Sequence, residues 1–329
     1  MTDAYRLKNI TVSLQQKNIL SIDNLEIKAE QCTALFGNNG AGKSTLLKLL
    51  AFTLRPSEGE IALFDHTISW PLTPAQRRRV AFVEQHPYLL QGTVYDNIKL
   101  ALSLQNIPTS QHDVLIKEAL EQTHTTHLLK QSTHTLSGGE LKRVAIARAI
   151  AYQPDILLLD EPFSHLDNDH IEVIEKLIAA FSKCTGKTVV LSTHDRLQGA
   201  ALSQATINLV DGKVTSAPLD NIFSGELTHQ QFFTKHLTIE TTSKLEHAQH
   251  LAIDPTQIII SNQPLESSMQ NCFAGHIIFI SEQATTGRLI VDCKEQFHAT
   301  ISLESLKNLN LQLGSDVYLS FKSSSVSVF

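Results

Sequence analysis

Gly37-Asn38-Asn39-Gly40-Ala41-Gly42-Lys43-Ser44, an octet of the form GxxxxGK[ST], is the first run in this chain whose residue types and spacing could do chemistry. It stands between an apolar stretch, Thr33 to Phe36, and a segment in which Leu46, Leu47, Leu49 and Leu50 recur at helical spacing. A phosphate cradle needs that setting. Its glycines let successive backbone N–H groups curl around an oxyanion, Lys43 reaches the outer phosphate oxygens, and the following helix directs its positive end at them. Ser44 supplies a hydroxyl for Mg²⁺, and Thr45 adds a donor for the phosphates. The implied ligand is a nucleoside triphosphate with its magnesium ion.

Ile156-Leu157-Leu158-Leu159-Asp160-Glu161 is an apolar run ending in two acids. On a buried strand it sets carboxylates at a sheet edge, where Asp160 would hold Mg²⁺ through water and Glu161 would orient or deprotonate an attacking water. Alone, solvated acids at a strand end would explain it equally well; coming after a phosphate loop, the chemical reading prevails. Leu136-Ser137-Gly138-Gly139-Glu140 places a serine at a helix start with two glycines exposing amides, a second anion site. An ordinary cap has the same appearance. Its closeness in sequence to the acid strand argues for the anion site.

These residues require a scaffold, and the first two-thirds of the chain supplies one. Short apolar runs alternate with helix-period segments, which predicts an α/β fold with a parallel sheet flanked by helices. Further strands are expected at Val80 to Glu84, Val189 to Ser192 and Ile207 to Val210. Asp167 should cap a helix whose Ile171, Ile174, Ile178 and Phe181 share one face. After Asp211-Gly212 the pattern turns to short alternating strands, such as Arg288 to Asp292 and Asp316 to Phe321, with no long helix, so a small β domain follows. The loop composition of Thr215, Ser216, Ala217 and Pro218 sets the boundary, giving domains 1–216 and 217–329; the β-rich clusters around 231–239 and 250–261 go with the second.

Composition bounds the rest. At 329 residues, 42% apolar and 18% charged, the chain is long enough for two packed cores. A net charge of -6 gives no reason to expect nucleic acid as a partner, and Arg77, Arg78 and Arg79 read as a solvated helix face. No apolar stretch reaches the roughly 18 residues of a membrane span, and the N-terminus lacks a signal-peptide layout, so a cytoplasmic protein is expected. Cys32, Cys184, Cys272 and Cys293 form no CxxC pair and read as reduced thiols. His124 and His127 could share a helix face, but solvated histidines are the simpler reading.

In its ordered motifs the chain resembles the ABC ATPases over about residues 4–214, and the LSGGE run at 136–140, followed by Leu141 to Ala149, matches their signature sequence. The resemblance implies a P-loop NTPase cassette with a RecA-like core, an antiparallel β subdomain and a helical subdomain at about 86–150. It implies that the phosphate loop of one subunit faces the signature of another, with Ser137, Gly138, Gly139 and Glu140 contacting ATP, so that a chain with one copy of each works as a homodimer. By the same matching, Gln85 is the Q-loop glutamine that senses Mg²⁺ and the γ-phosphate, and His194 is the switch histidine. Ser164-His165-Leu166-Asp167 is the loop that crosses the dimer interface. The family's adenine-stacking position falls on Leu14, so stacking would be apolar; Tyr5 lies too early.

Tyr88 to Ile98 resembles the segment that importer ATPases present to a membrane permease, although Leu89, Leu90 and Ile98 could as well fill the subdomain core. Pro264 to Ile277, Ala299 to Leu306, Gly314 and Phe321-Lys322 resemble a Mop or TOBE domain, an OB-like β barrel with its core at about 256–329. This implies the motor of an importer, peripheral on the inner face of the membrane and served indirectly by a solute-binding protein. Tungstate or molybdate is the best cargo reading, with sulfate, polyamines, sugars or a soluble oxyanion-sensing role as alternatives. Ser268, Asn271, Ser305 and Lys322 are candidate donors to an oxyanion, or else residues that cap turns and pair strands. Where many relatives carry Arg before the Asn, this chain has Gln270, which removes a charge-assisted hold.

Overall fold

The computed structural model describes the chain apart from residues 1, 15–16, 165, 216–219, 266–267 and 283–285. His165 of the interface-crossing loop, the boundary residues Ser216, Ala217 and Pro218, and Glu266 and Ser267 of the tail motif lie outside the described residues. The chain divides into two compact units, Met1–Thr215 and Ser216–Phe329.

In the first unit a hairpin of β1 (Asp3–Leu14) and β2 (Lys17–Lys28) precedes β3 (Cys32–Phe36), which runs through the phosphate loop into α1 (Lys43–Leu50). β4 (Glu58–Leu63) and β5 (His66–Thr67) return to the hairpin and complete an antiparallel sheet of order β2-β1-β4-β5. Next come α2 (Pro74–Arg78), β6 (Val80–Val83), α3 (Val94–Leu104), α4 (Thr109–Gln122) and α5 (Gly138–Ile150). The unit ends with β7 (Ile156–Asp160), α6 (Asn168–Lys183), β8 (Thr188–Ser192), α7 (Arg196–Leu202), β9 (Ala205–Val210) and β10 (Lys213–Thr215). The second sheet has the order β10-β9-β3-β8-β7-β6, parallel except for β10. Every residue of β3, β7 and β8 is buried, as continuous apolar strands covered on both faces must be. In such sheets ligands bind beyond the carboxyl ends of the strands.

Buried Leu89, Val94, Ile98, Leu102, Ile116, Leu120 and Leu128 lie in the helical region of α3 to α5, whereas Tyr88 and Leu90 stay exposed. Adjacent leucines therefore have opposite fates. The Asn97 side chain enforces this by accepting from the Leu90 N–H at 2.8 Å and donating to its carbonyl at 2.9 Å.

The basic run is only partly a solvated face. Arg77 and Arg78 are exposed on α2, but Arg79 binds Asp155 through Nε at 2.6 Å and lies 3.9 Å over the Phe64 ring, which fastens α2 to the strand end before β7. His124 and His127 are both exposed, and among the described residues no cluster of three His, Cys, Asp or Glu could hold a metal. Among the described residues no helix is long and apolar enough to cross a membrane.

The second unit is antiparallel throughout. It contains β11 (Asn221–Ser224), β12 (Glu226–Thr228), β13 (Gln231–Phe233), β14 (Thr238–Glu240), β15 (His250–Ile253), β16 (Ile259–Ser261), β17 (Asn271–Glu282), β18 (Thr286–Asp292), β19 (Gln296–Ser302), the six-residue α8 (Leu303–Asn308), β20 (Asp316–Phe321) and β21 (Val326–Val328). They pair as β11-β15-β21, β12-β13-β14 and β16-β20-β17-β18-β19 around a core in which the rings of Phe223 and Phe297 lie 4.6 Å apart. Asn221, buried on β11, joins two of these sheets by donating to the His298 carbonyl at 2.8 Å and accepting from its N–H at 2.6 Å. Asn221→Ala would remove both bonds between the sheets, and we expect denaturant unfolding to register a loss of about 2–3 kcal/mol.

All four cysteines are free, Cys184 and Cys272 exposed and Cys32 and Cys293 buried. Burial pushes both Cys32 and Cys293 up to about 12, so at pH 8 they stay as unreactive thiols. Alkylation of the folded chain at that pH should therefore modify Cys184 and Cys272 alone, with the other two following only on denaturation, as read by intact mass.

Candidate functional site

Strand order brings the chemical residues together. β8 lies between β3 and β7, so the phosphate loop after β3, the acids ending β7 and the Ser192-Thr193-His194 run ending β8 emerge side by side. The loop itself cannot be built from other residues at two of its positions. Gly42 holds φ at +103° with Leu20 packed where a Cβ would sit, and a Cβ on Gly37 would approach the Leu209 carbonyl oxygen to 2.5 Å.

Gly42 caps α1 without a side-chain bond, which leaves the first amides of that helix, those of Lys43, Ser44 and Thr45, without intrahelical partners. Lys43 is buried, and its ammonium donates to the carbonyls of Gly37 at 2.7 Å and Asn38 at 3.2 Å. The loop's own carbonyls thus hold the cation. Asn38, Asn39 and Gly40 stand exposed at the rim, while Ala41 is buried beneath them.

One cleft is lined by Ile19, Asn39, Gly40, Gly42, Lys43, Ser44, Thr45, Gln85, Asp160 and Glu161. It thus gathers the loop, the glutamine after β6 and both acids. A neighbouring hollow joins Gly37, Asn38 and Asn39 to Thr193 and His194. The donors in the cleft are hard oxygens: a serine hydroxyl, a buried carboxylate and a side-chain amide. Such a set suits Mg²⁺ rather than a softer metal.

The acids are locked from behind. Ser192 Oγ donates to Asp160 Oδ1 at 2.6 Å and accepts from the Glu161 N–H at 2.9 Å. Glu161 holds φ at +47°, a conformation that a non-glycine residue keeps only when its surroundings impose it. Its carboxylate lies 2.9 Å from His194 Nδ1, so the two side chains share a proton-accepting and proton-donating contact at the mouth of the site. The glutamate side chain is 12% exposed and the histidine 74%, which leaves the histidine free to turn toward a ligand.

Ser137, Gly138, Gly139 and Glu140 do not line this cleft; they start α5 elsewhere on the unit. Ser137 Oγ accepts from the Glu140 N–H at 3.3 Å, and the Glu140 carboxylate takes bonds from the N–H and hydroxyl of Ser137 at 2.8 and 2.9 Å. Those bonds hold the Glu140 carboxyl below the usual range. Gly138 faces open space. The signature is therefore both a capped helix start and an open surface, and it takes no part in the lining of its own chain's phosphate cleft. Leu14 is exposed and outside the cleft, and Tyr5 is fully buried with its hydroxyl on the Leu50 carbonyl at 2.9 Å, so it offers no surface for a base.

Ser192 and Ile19 belong to no motif read above. Ser192 had a cue in its place in the apolar run that leads to His194, and Lys142 falls in the run that continues the signature, with no role of its own marked there.

The ABC transporter family profile matches residues 20–164, and the TOBE domain profile matches 267–328. A molybdate/tungstate import ATP-binding protein of Pyrococcus abyssi is 31% identical over 98% of this chain and 99% of its own length. A sulfate/thiosulfate import ATP-binding protein of Agrobacterium fabrum is 35% identical over 64% of this chain and 61% of its own length. Among solved structures, a dimeric bacterial ABC transporter cassette is similar with a TM-score of 0.59 at 31% identity, over 64% of this chain and 96% of that one. With a phosphate loop, paired acids and a capped LSGGE helix arranged as above, this chain belongs to the ATP-binding, ATP-hydrolysing subunits of ABC importers that carry a C-terminal TOBE domain.

Proposed function

We propose that two copies of this chain close around two ATP molecules at the inner face of the cell membrane and drive a separate permease. The phosphate loop, Lys43, Ser44 and Thr45 hold the phosphates, while Ser137 to Glu140 of the facing copy complete each site. The observation that carries this reading is the cleft that unites Gln85, Asp160 and Glu161 with the loop but leaves out the signature. Ser44, Gln85 and Asp160 would hold Mg²⁺, which when bound neutralises phosphate charge. Glu161 then accepts the proton of the attacking water, His194 steadies that carboxylate and turns to the γ-phosphate, and Ser192 keeps both acids on the strand end.

Removing the base tests the chemistry. Glu161→Gln keeps the side chain's size but cannot take a proton, and steady-state phosphate release should fall by about 10²–10⁴-fold with ATP affinity retained. A parental rate in that variant would refute the role.

Tungstate or molybdate is the cargo we favour, because the likeness to a molybdate/tungstate import protein continues through both units whereas the sulfate/thiosulfate relative covers 64% of the chain. The permease would dock in the hollow lined by Phe82, Glu84, Tyr88, Ala101, Arg148 and Tyr152, beside exposed Leu90. Tyr88, 70% exposed, stands apart from the nucleotide cleft. In proteoliposomes carrying the permease, Tyr88→Ala should reduce solute uptake at least about fivefold, a loss of about 1 kcal/mol of coupling, while the isolated subunit hydrolyses ATP at its parental rate.

An oxyanion on the second unit would rest on exposed Lys322 and Ser268. Asn271 exchanges two bonds with the Glu240 backbone, at 2.8 and 3.0 Å, and Ser305 bonds Ser302 at 2.9 Å. Gln270 Oε1 accepts from the Ser323 N–H and hydroxyl, both at 3.1 Å, so the residue standing in place of Arg serves a turn.

A further inference from the structure

Lys142 lies two residues beyond the LSGGE run on α5, and its side chain points back into its own subunit. It is 5% exposed, and its ammonium donates to the Glu161 carbonyl at 3.0 Å, the Ser164 carbonyl at 2.9 Å and the Ser164 hydroxyl at 2.8 Å. All three N–H donors of a lysine are thereby used on one short loop. Ser164 Oγ closes the arrangement by donating to the Glu161 carbonyl at 2.9 Å. With Ser192 on its N–H, Glu161 has both backbone polar groups fixed, and these contacts hold its left-handed φ of +47°.

Burial pulls the Lys142 ammonium below the ordinary lysine range, while the nearby charges of Glu161 and Asp160 push it the other way. A buried cation is costly unless charges and carbonyls surround it, so its presence marks a joint that is fixed in place. The joint connects two motifs with different clients. In the dimer proposed above, on which this inference rests, α5 meets the ATP held by the other copy, whereas Glu161 acts on the ATP held by its own.

We propose that Lys142 is a positioning residue that transmits engagement of the signature at one ATP site to the carboxylate working at the other. Movement of the α5 start against a partner's nucleotide pulls the Glu161 carbonyl through the ammonium and re-aims the side chain. A merely structural lysine would stabilise the loop without linking the sites.

The test compares the parent, Lys142→Met, which has no donor, and Lys142→Arg, which restores donors, in full-length protein. Steady-state hydrolysis against ATP concentration gives kcat, KM and the Hill coefficient, and a fluorescent ATP analogue gives nucleotide affinity. For the parent the Hill coefficient should lie near the limit of about 2 set by two sites. Lys142→Met should lose at least about tenfold in kcat, about 1.4 kcal/mol, and drop to a Hill coefficient of about 1, with nucleotide affinity unchanged; Lys142→Arg should recover both kcat and cooperativity. Parental kcat and cooperativity in Lys142→Met, or affinity falling in step with kcat, overturns the proposal. A non-cooperative parent overturns the coupling, whereas the dimer reading is judged separately, by whether ATP and Mg²⁺ double the sedimenting mass of the Glu161→Gln chain. Where Lys142→Met does not fold, Lys142→Gln takes its place, and its parental Hill coefficient would be equally decisive against coupling.

Discussion

The hydroxyl of Ser192 is the contact on which the site depends. From the end of β8 it donates to Asp160 and accepts from the Glu161 N–H, so two acids at the end of one strand are set by the strand beside it. Since β8 also pairs with β3, the frame that aims the carboxylates is the same one that carries the phosphate loop. Parallel pairing of fully buried strands makes that frame stiff. Glu161 can keep an unfavourable backbone conformation because Ser192, Ser164 and Lys142 hold it from both sides.

Much of this was legible in the sequence because each motif is a contiguous run attached to a strand. Gly37 to Thr45, Asp160-Glu161 and His194 each sit at a strand's carboxyl end, and the parallel order brings those ends together without further instruction. What a linear pattern hides is a partner far along the chain. Arg79 reads as one of three solvated arginines until Asp155 and Phe64 are seen against it. Nothing marks Lys142 within the run that follows LSGGE until Glu161 and Ser164 are seen around it. Leu89 and Leu90 are indistinguishable in type; Asn97, on the next helix, decides which is buried.

The second unit shows the same division. Its alternating strands and, among the described residues, the lack of any long helix follow from periodicity, and β11 to β21 form the antiparallel sheets that periodicity implies. The individual roles of Gln270 and Asn271 do not, because they depend on Ser323 and Glu240. Asn271, which resembles an oxyanion donor in sequence, is occupied with the Glu240 backbone, as a buried amide must be when water is excluded.

In the dimer proposed above, hydrolysis by this molecule depends on a site shared between two copies. Its phosphate loop, acids and signature occupy one chain, but the signature lies outside that chain's own nucleotide cleft. Sedimentation equilibrium of the Glu161→Gln chain, with and without ATP and Mg²⁺, tests this most directly. A shared site requires a monomer without nucleotide and a stable dimer of twice the 36.4 kDa chain mass with it. A mass that stays monomeric at saturating ATP would contradict it.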